Sequence, residues 1–163
     1  ERALLRALRL RNVRMVTVDV SGVLAGVLEA RAEGPPPRPA PPGILAGLRP
    51  DLTVSANVLS QLALAPAGAL CARGFSPGLV REFSRAVVQA HIDWLHSLPG
   101  TSLLITDTAW KTGGEVLDPL LGAALPAPAE AWPWNIAPRP EAYPDRDVVH
   151  EVGAFLISGR KRA

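Results

Sequence analysis

The chain has 163 residues, of which 48% are hydrophobic and 20% are charged, and its formal net charge is +2. This length and this balance predict one globular domain with a hydrophobic core of its own. So small a net charge argues against a nucleic-acid-binding protein. The single cysteine excludes a disulfide within the chain and a metal site built from several thiolates.

The first 43 residues contain a predicted helix, a predicted strand and a proline-rich segment. Residues 2–10 space leucine and alanine at helical intervals. Residues 13–19 are rich in valine and predict a buried strand that ends near Asp19. Residues 33–43, "EGPPPRPAPPG", have a composition that prevents regular structure, so we expect a mobile loop. The chain begins with Glu1 rather than Met, and we therefore expect part of the natural N-terminus to precede it.

The middle of the chain predicts a second strand and two helices. Residues 51–56, "DLTVSA", read as a strand that runs into small polar residues. Residues 58–65 begin a helix that Pro66 and Gly68 are expected to end. Residues 77–97 give the clearest helical pattern, with proline near the start and a Pro-Gly pair beyond the end.

The last third contains two predicted strands around a long irregular region. Residues 102–106 form the third strand, which ends at Asp107. An irregular segment with Trp132 and Trp134 follows, and residues 148–157 form an antiparallel closing strand. Because helices and apolar strands alternate along the chain, we expect an α/β fold with a mostly parallel sheet.

The sequence favours a protein outside the membrane. Residues 52–72 carry no charge and reach the length of a membrane span. They also contain several polar residues and divide into a strand-like half and a helix-like half. No secretory signal opens the chain, and a lone cysteine suits a reducing compartment, so we expect a cytoplasmic protein. No spacing of histidine or cysteine typical of a metal site is present.

Polar residues follow three of the predicted strands. Asp19 ends the first, Ser55 to Asn57 end the second, and Asp107 ends the third. In open α/β sheets ligands bind in the crevice outside the carboxyl ends of the strands. If these strands are parallel neighbours, the polar residues converge on one ligand site.

The order of these segments resembles the class I S-adenosylmethionine-dependent methyltransferases. "NVRMVTVDVSG", "PDLTVSANVLSQL", "GTSLLITD" and "HEVGAFLIS" follow one another as the C-terminal two-thirds of that fold would. The resemblance implies a Rossmann-like sheet and S-adenosylmethionine as cofactor. The tryptophans expected in loops, Trp110, Trp132 and Trp134, favour a small, partly apolar acceptor over a long nucleic acid.

The resemblance also implies which residues hold the ligands. It assigns the cofactor to five residues at the strand ends: Asp19, Val20, Ser55, Ala56 and Asn57. Asp19 and Val20 would frame the adenine, and the other three would face the methyl donor. Asp107 and Trp110 would lie on the substrate side.

The chain departs from the family in one respect. No glycine-rich turn follows a strand anywhere in the sequence, and no acidic residue stands where the family binds the ribose. Glycine in that turn lets the backbone approach the cofactor closely. We therefore expect neither tight cofactor binding nor methyl transfer from these residues alone. A non-catalytic methyltransferase-like module, which binds a partner through the proline-rich segment and the basic ends, is an alternative.

A second alternative is a phosphatase. "VTVDVSGVLAG" is similar to the opening motif of haloacid-dehalogenase-type phosphatases, in which Asp19 would attack phosphorus. Lys111 and the acidic pair Asp145 and Asp147 would complete that site with magnesium. Ser21 stands where most of that family has a second aspartate, the general acid.

Overall fold

The structure is a computed structural model that describes residues 13–40, 47 and 49–158. Within these residues there are three α-helices: α1 (Leu24–Glu29), α2 (Leu64–Ala72) and α3 (Pro77–Ser97). The strands are β1 (Leu52–Ala56), β2 (Thr101–Thr112), β3 (Glu115–Leu117), β4 (Glu130–Ala137) and β5 (Val148–Ser158). A 3₁₀ turn, Leu59–Gln61, lies between β1 and α2. The predicted helix over residues 2–10 lies outside the described residues.

The strands form one mixed sheet in the order β1-β2-β5-β4, with β3 paired to β2. Only β1 and β2 are parallel, and the other pairs are antiparallel. The α/β class and the antiparallel closing strand are therefore confirmed, but the expected mostly parallel sheet is wrong. Parallel neighbours need a long crossover, usually helical, and the chain provides one only between β1 and β2. After β2 no helix follows among the described residues, and the chain returns in antiparallel strands.

The predicted strand over residues 13–19 is absent, because this segment has no strand partner in the described part of the chain. Its Val13, Met15 and Val16 are exposed rather than buried. A β-branched sequence favours an extended backbone but cannot form a strand without a neighbour to accept its hydrogen bonds. The described part of the proline-rich segment, residues 33–40, has no helix or strand, as predicted.

Helix α3 has the predicted bounds, whereas α2 does not end where the sequence predicts. Helix α3 covers the predicted residues 77–97, and the Ser76 side chain caps its first turn by accepting from the Leu79 N–H at 3.4 Å. Helix α2, however, continues through Pro66 instead of ending there. Pro66 lies in the first helical turn, where the missing N–H has no intrahelical acceptor in any case.

The tryptophans expected in loops lie on strands. Trp132 and Trp134 belong to β4, and Trp110 belongs to β2. Strand β4 pairs only with β5, so Pro133 occupies an edge strand, where a proline costs no ladder hydrogen bond. The prediction of an irregular segment around Trp132 and Trp134 is therefore wrong for residues 130–137, which form β4.

Two hydrophobic clusters hold the helices against each other and against the sheet. The first lies between the three helices and includes Val23, Val27, Leu70, Phe83 and Val87. The second lies between α3 and the sheet and includes Ile92, Leu95, Leu104, Phe155 and Ile157. Helix α3 contributes to both, so it fixes the segments around the carboxyl end of β1. None of the described helices is long and apolar enough to cross a membrane.

Candidate functional site

The polar residues after β1 form a turn that leads the chain out of the sheet. Asn57 has a φ of 55°, in the left-handed region, and its N–H donates to the Ile105 carbonyl at 2.9 Å. Asparagine tolerates this conformation better than most residues do. Asn57 is exposed and lies between the end of β1 and the 3₁₀ turn, which begins at Leu59.

A cavity of about 370 Å³ lies beside this turn. It opens between two segments that are distant in sequence, residues 18–24 and residues 57–66. We call it the edge cleft, and its lining is Val18, Asp19, Val20, Ser21, Leu24, Asn57, Val58, Gln61, Leu62, Ala65 and Pro66. Three of the five residues predicted to hold the cofactor, Asp19, Val20 and Asn57, thus line one cavity.

The Asp19 carboxylate organises its own wall of the edge cleft. One oxygen accepts from the Ser21 N–H and the Ser21 hydroxyl, and the other accepts from the Leu24 N–H at 2.9 Å. Partial burial raises the pKa of Asp19, but hydrogen bonds from Ser21, Leu24 and Gly22 outweigh it, and the pKa falls below its usual 3.8. Asp19 is therefore an anion at neutral pH that holds the turn before α1.

Ser55 and Ala56 are placed differently from the other predicted cofactor residues. The Ser55 hydroxyl is buried and lies 2.9 Å from Nε2 of His91 on α3, whereas Ala56 is exposed. Neither residue belongs to the lining of the edge cleft. Burial lowers the pKa of His91 to about 4, so the ring is neutral at physiological pH. The Ser55–His91 contact joins β1 to α3 immediately before the turn that carries Asn57.

Asp107 contacts a second set of polar groups. It lies inside β2, which continues to Thr112, so the prediction that the strand ends at Asp107 is wrong. Asp107 is buried, and its Oδ2 accepts from the Ser60 hydroxyl and from the Trp110 indole N–H, each at 2.9 Å. Nδ1 of His150 lies 3.2 Å from the same oxygen without the geometry of a hydrogen bond. The His150 ring also stacks on Trp110, with centroids 5.4 Å apart. The two predicted substrate-side residues, Asp107 and Trp110, are thus in direct contact. The hydrogen bond to Asp107 and the stacking with His150 hold the Trp110 indole in place.

A second cavity, of about 430 Å³, lies on the other side of the 3₁₀ turn. We call it the apolar pocket, and its lining is Ser60, Ala63, Leu64, Ala67, Cys71, Pro77, Val80, Arg81, Ser84, Trp110, Leu117, Asp118, Pro119 and Leu121. Trp110 therefore lines a cavity, and its substrate-side role stays a prediction. Asp107 is not part of the lining and acts on the pocket through Ser60 and Trp110.

The sequence did not predict Ser60, His91 or His150 as site residues. His91 is buried, and its sequence signal was its place on the apolar face of α3, one turn before Leu95. Ser60 has no local signal, because its partner Asp107 lies 47 residues away.

The groups required by the phosphatase alternative are engaged elsewhere. The Lys111 ammonium lies 2.7 Å from Glu151, and Asp147 accepts from the Arg139 N–H at 2.8 Å. No group of three or more histidine, cysteine, aspartate or glutamate residues in the described ranges could hold a metal ion. Among the described residues, the groups needed for a magnesium site are therefore not assembled around Asp19.

No family model, no curated protein and no solved structure matches this chain. The methyltransferase resemblance consequently depends on the sequence segments alone.

Proposed function

We propose that this chain is a methyltransferase-like α/β domain that binds S-adenosylmethionine, or its demethylated product, in the edge cleft. The observation that carries the proposal is the position of this cleft, at the carboxyl end of a strand that has a parallel neighbour. This is where open α/β sheets bind ligands. A volume of about 370 Å³ lies in the range of small-molecule sites, which is about 300–1,000 Å³.

The lining suits the two ends of such a cofactor. Val20, Leu24 and Leu62 give an apolar wall for a planar base, and the Asp19 carboxylate accepts hydrogen bonds from an amino group. The Asn57 amide can donate and accept on the opposite wall. On this proposal Asp19 and Val20 contact the adenosine end, and Asn57 contacts the end that carries the methyl group.

Ser55 and Ala56 would then act without touching the cofactor. The buried Ser55–His91 contact fixes β1 against α3, so the turn at Asn57 is held at a defined place. We assign Ser55 a positioning role and Ala56 none beyond continuing the strand.

The sheet gives partial support. A parallel pair joined through helices, followed by an antiparallel closing strand beside it, is what the resemblance implies for this part of the chain. On the proposal, β1 and β2 are the Rossmann-like part, and the acceptor molecule occupies the side of the 3₁₀ turn that carries Trp110.

Methyl transfer from S-adenosylmethionine requires few catalytic groups from the protein. Methyl transfer from a sulfonium is a direct displacement, and the donor already carries the activating positive charge. Alignment of nucleophile, carbon and sulfur therefore supplies most of the rate. Because the sequence has no glycine-rich turn after a strand, we expect weak cofactor binding and no methyl transfer by these 163 residues.

Amide chemical-shift mapping with S-adenosylhomocysteine tests the proposal, since it detects weak binding and locates it. We expect shifts confined to residues 18–24 and 57–66, and weaker binding in Asn57→Gly, which keeps the left-handed backbone but loses the amide. Gln89→Ala, on the exposed face of α3, is the control. Absence of shifts in the cleft at saturating ligand would refute the proposal. Magnesium-dependent phosphatase activity lost in Asp19→Asn would replace it with the phosphatase alternative.

A further inference from the structure

The apolar pocket is separate from the edge cleft and has its own chemistry. Its walls are hydrophobic residues of three elements: Leu64 and Ala67 from α2, Pro77 and Val80 from α3, and Leu117 and Pro119 from the segment around the end of β3. Leu64 and Leu117 remain 55% and 54% exposed, so the pocket leaves apolar surface in contact with water. A volume of about 430 Å³ is again in the range of small-molecule sites, about 300–1,000 Å³.

The polar groups of the pocket are almost all occupied. Ser60 and Ser84 each donate a hydrogen bond inside the protein, and Trp110 donates its indole N–H. The Asp118 carboxylate accepts from two backbone N–H groups of its own loop. Arg81 differs, because within the described part of the chain its guanidinium makes neither a hydrogen bond nor an ion pair.

We propose that the apolar pocket binds a small molecule with a planar or aliphatic apolar body and one anionic group, which pairs with Arg81. The body would lie between α2 and the Trp110 ring, where aromatic surface gives the largest contact area. The guanidinium presents several donors in a plane and suits a carboxylate better than a neutral head group. The proposed function places the acceptor on this side of the 3₁₀ turn, but the present inference concerns binding alone and holds whether or not the edge cleft binds S-adenosylmethionine.

The chain carries a built-in reporter for this site. Cys71 is the only cysteine of the sequence, is exposed, and belongs to the lining of the pocket. A bound ligand would shield its thiol from a neutral alkylating reagent. The rate of Cys71 alkylation by iodoacetamide therefore measures occupancy of the pocket and does not respond to chemistry in the edge cleft.

Three probes with the same body separate the apolar and the charged contributions: 2-naphthoate, 2-naphthylmethanol and 2-naphthylmethylammonium. We expect all three to slow Cys71 alkylation, with naphthoate about fivefold tighter than the alcohol, the preference that an exposed ion pair supplies. The ammonium compound should bind weakest. Arg81→Gln should remove the preference for naphthoate but leave the binding of the alcohol unchanged. Ala67→Phe should reduce protection by all three probes, because the larger side chain fills the pocket.

The control is Arg146→Gln, which changes an exposed arginine outside the pocket. It should leave the order of the three probes unchanged. The proposal would be overturned if none of the three probes protected Cys71, or if all three protected it equally. An unchanged preference for naphthoate in Arg81→Gln would also overturn it. Shift mapping of the edge cleft is a separate measurement, so failure here and failure of the proposed function are distinguishable.

Discussion

Protonation of His91 should destabilise the fold as the pH falls below neutrality. Its ring is buried, with Nε2 at the Ser55 hydroxyl and Trp94 packed at 5.4 Å between centroids. Nδ1 is buried and has no hydrogen-bond partner. A proton on this ring would place a charge at a buried position between Ser55 and Trp94. Burial therefore lowers the pKa from 6.5 to about 4.

His91 binds a proton more readily in the unfolded chain than in the folded protein. Between pH 6.5 and pH 4 the unfolded chain holds a proton on His91 and the folded chain does not, so stability rises with pH in that window. The contribution is fully present above pH 6.5 and is lost as the pH falls through the window. With about 1.36 kcal/mol per pKa unit, the total is about 3 kcal/mol, of which about 2 kcal/mol is lost between pH 7.5 and pH 5.

Urea denaturation followed by tryptophan fluorescence, repeated from pH 7.5 to pH 5, measures this term. His91→Gln cannot titrate and keeps a group that can bond to Ser55, so its stability should vary less with pH by about 2 kcal/mol. His96→Gln, which changes an exposed histidine on the same helix, is the matched control and should follow the unmodified chain. Equal pH dependence in the unmodified chain and His91→Gln would refute the reasoning.

Three further variants test the contacts around the two cavities. Asp19→Ala removes the hydrogen bonds that hold the turn before α1 and should lower the free energy of unfolding by about 1 kcal/mol, measured in urea at pH 7.5. Asn57→Ala should be less stable than Asn57→Gly by about 1 kcal/mol in thermal melts, because φ is 55° there; equal stability would contradict this. Trp110→Phe removes a donor to the Asp107 carboxylate and should cost about 1.5–3 kcal/mol in urea denaturation, whereas Trp132→Phe should cost less.

Local patterns in the sequence were sufficient where a segment carries its own signals. Helix α3 has a proline at its first position, a serine cap and an apolar face, and it begins and ends as predicted. Strands β1 and β5 were located because each is an apolar run bounded by turn residues. Strand β2 was also located, but it continues past its predicted end at Asp107 to Thr112, because its pairing with β5 extends that far. The same signals misplaced residues 13–19, because a strand also needs a partner, and no local pattern tells whether one exists.

The direction of the strands and the composition of the site depended on distant parts of the chain. The helical crossover made β1 and β2 parallel, but the return of the chain through β4 and β5 made the rest of the sheet antiparallel. The cofactor residues were predicted as one group, yet only three of the five line the edge cleft.

The sequence predicted the α/β class, the main helix, three strands and the polar turn at the end of β1, because periodicity and turn residues are local signals. Which polar groups meet depends on the tertiary structure. Ser55 contacts His91, which is 36 residues away in the sequence, and Ser60 donates to Asp107, which is 47 residues away. Such pairs form because buried polar groups must find partners once α3 covers the sheet, and that requirement depends on packing rather than on neighbouring residues.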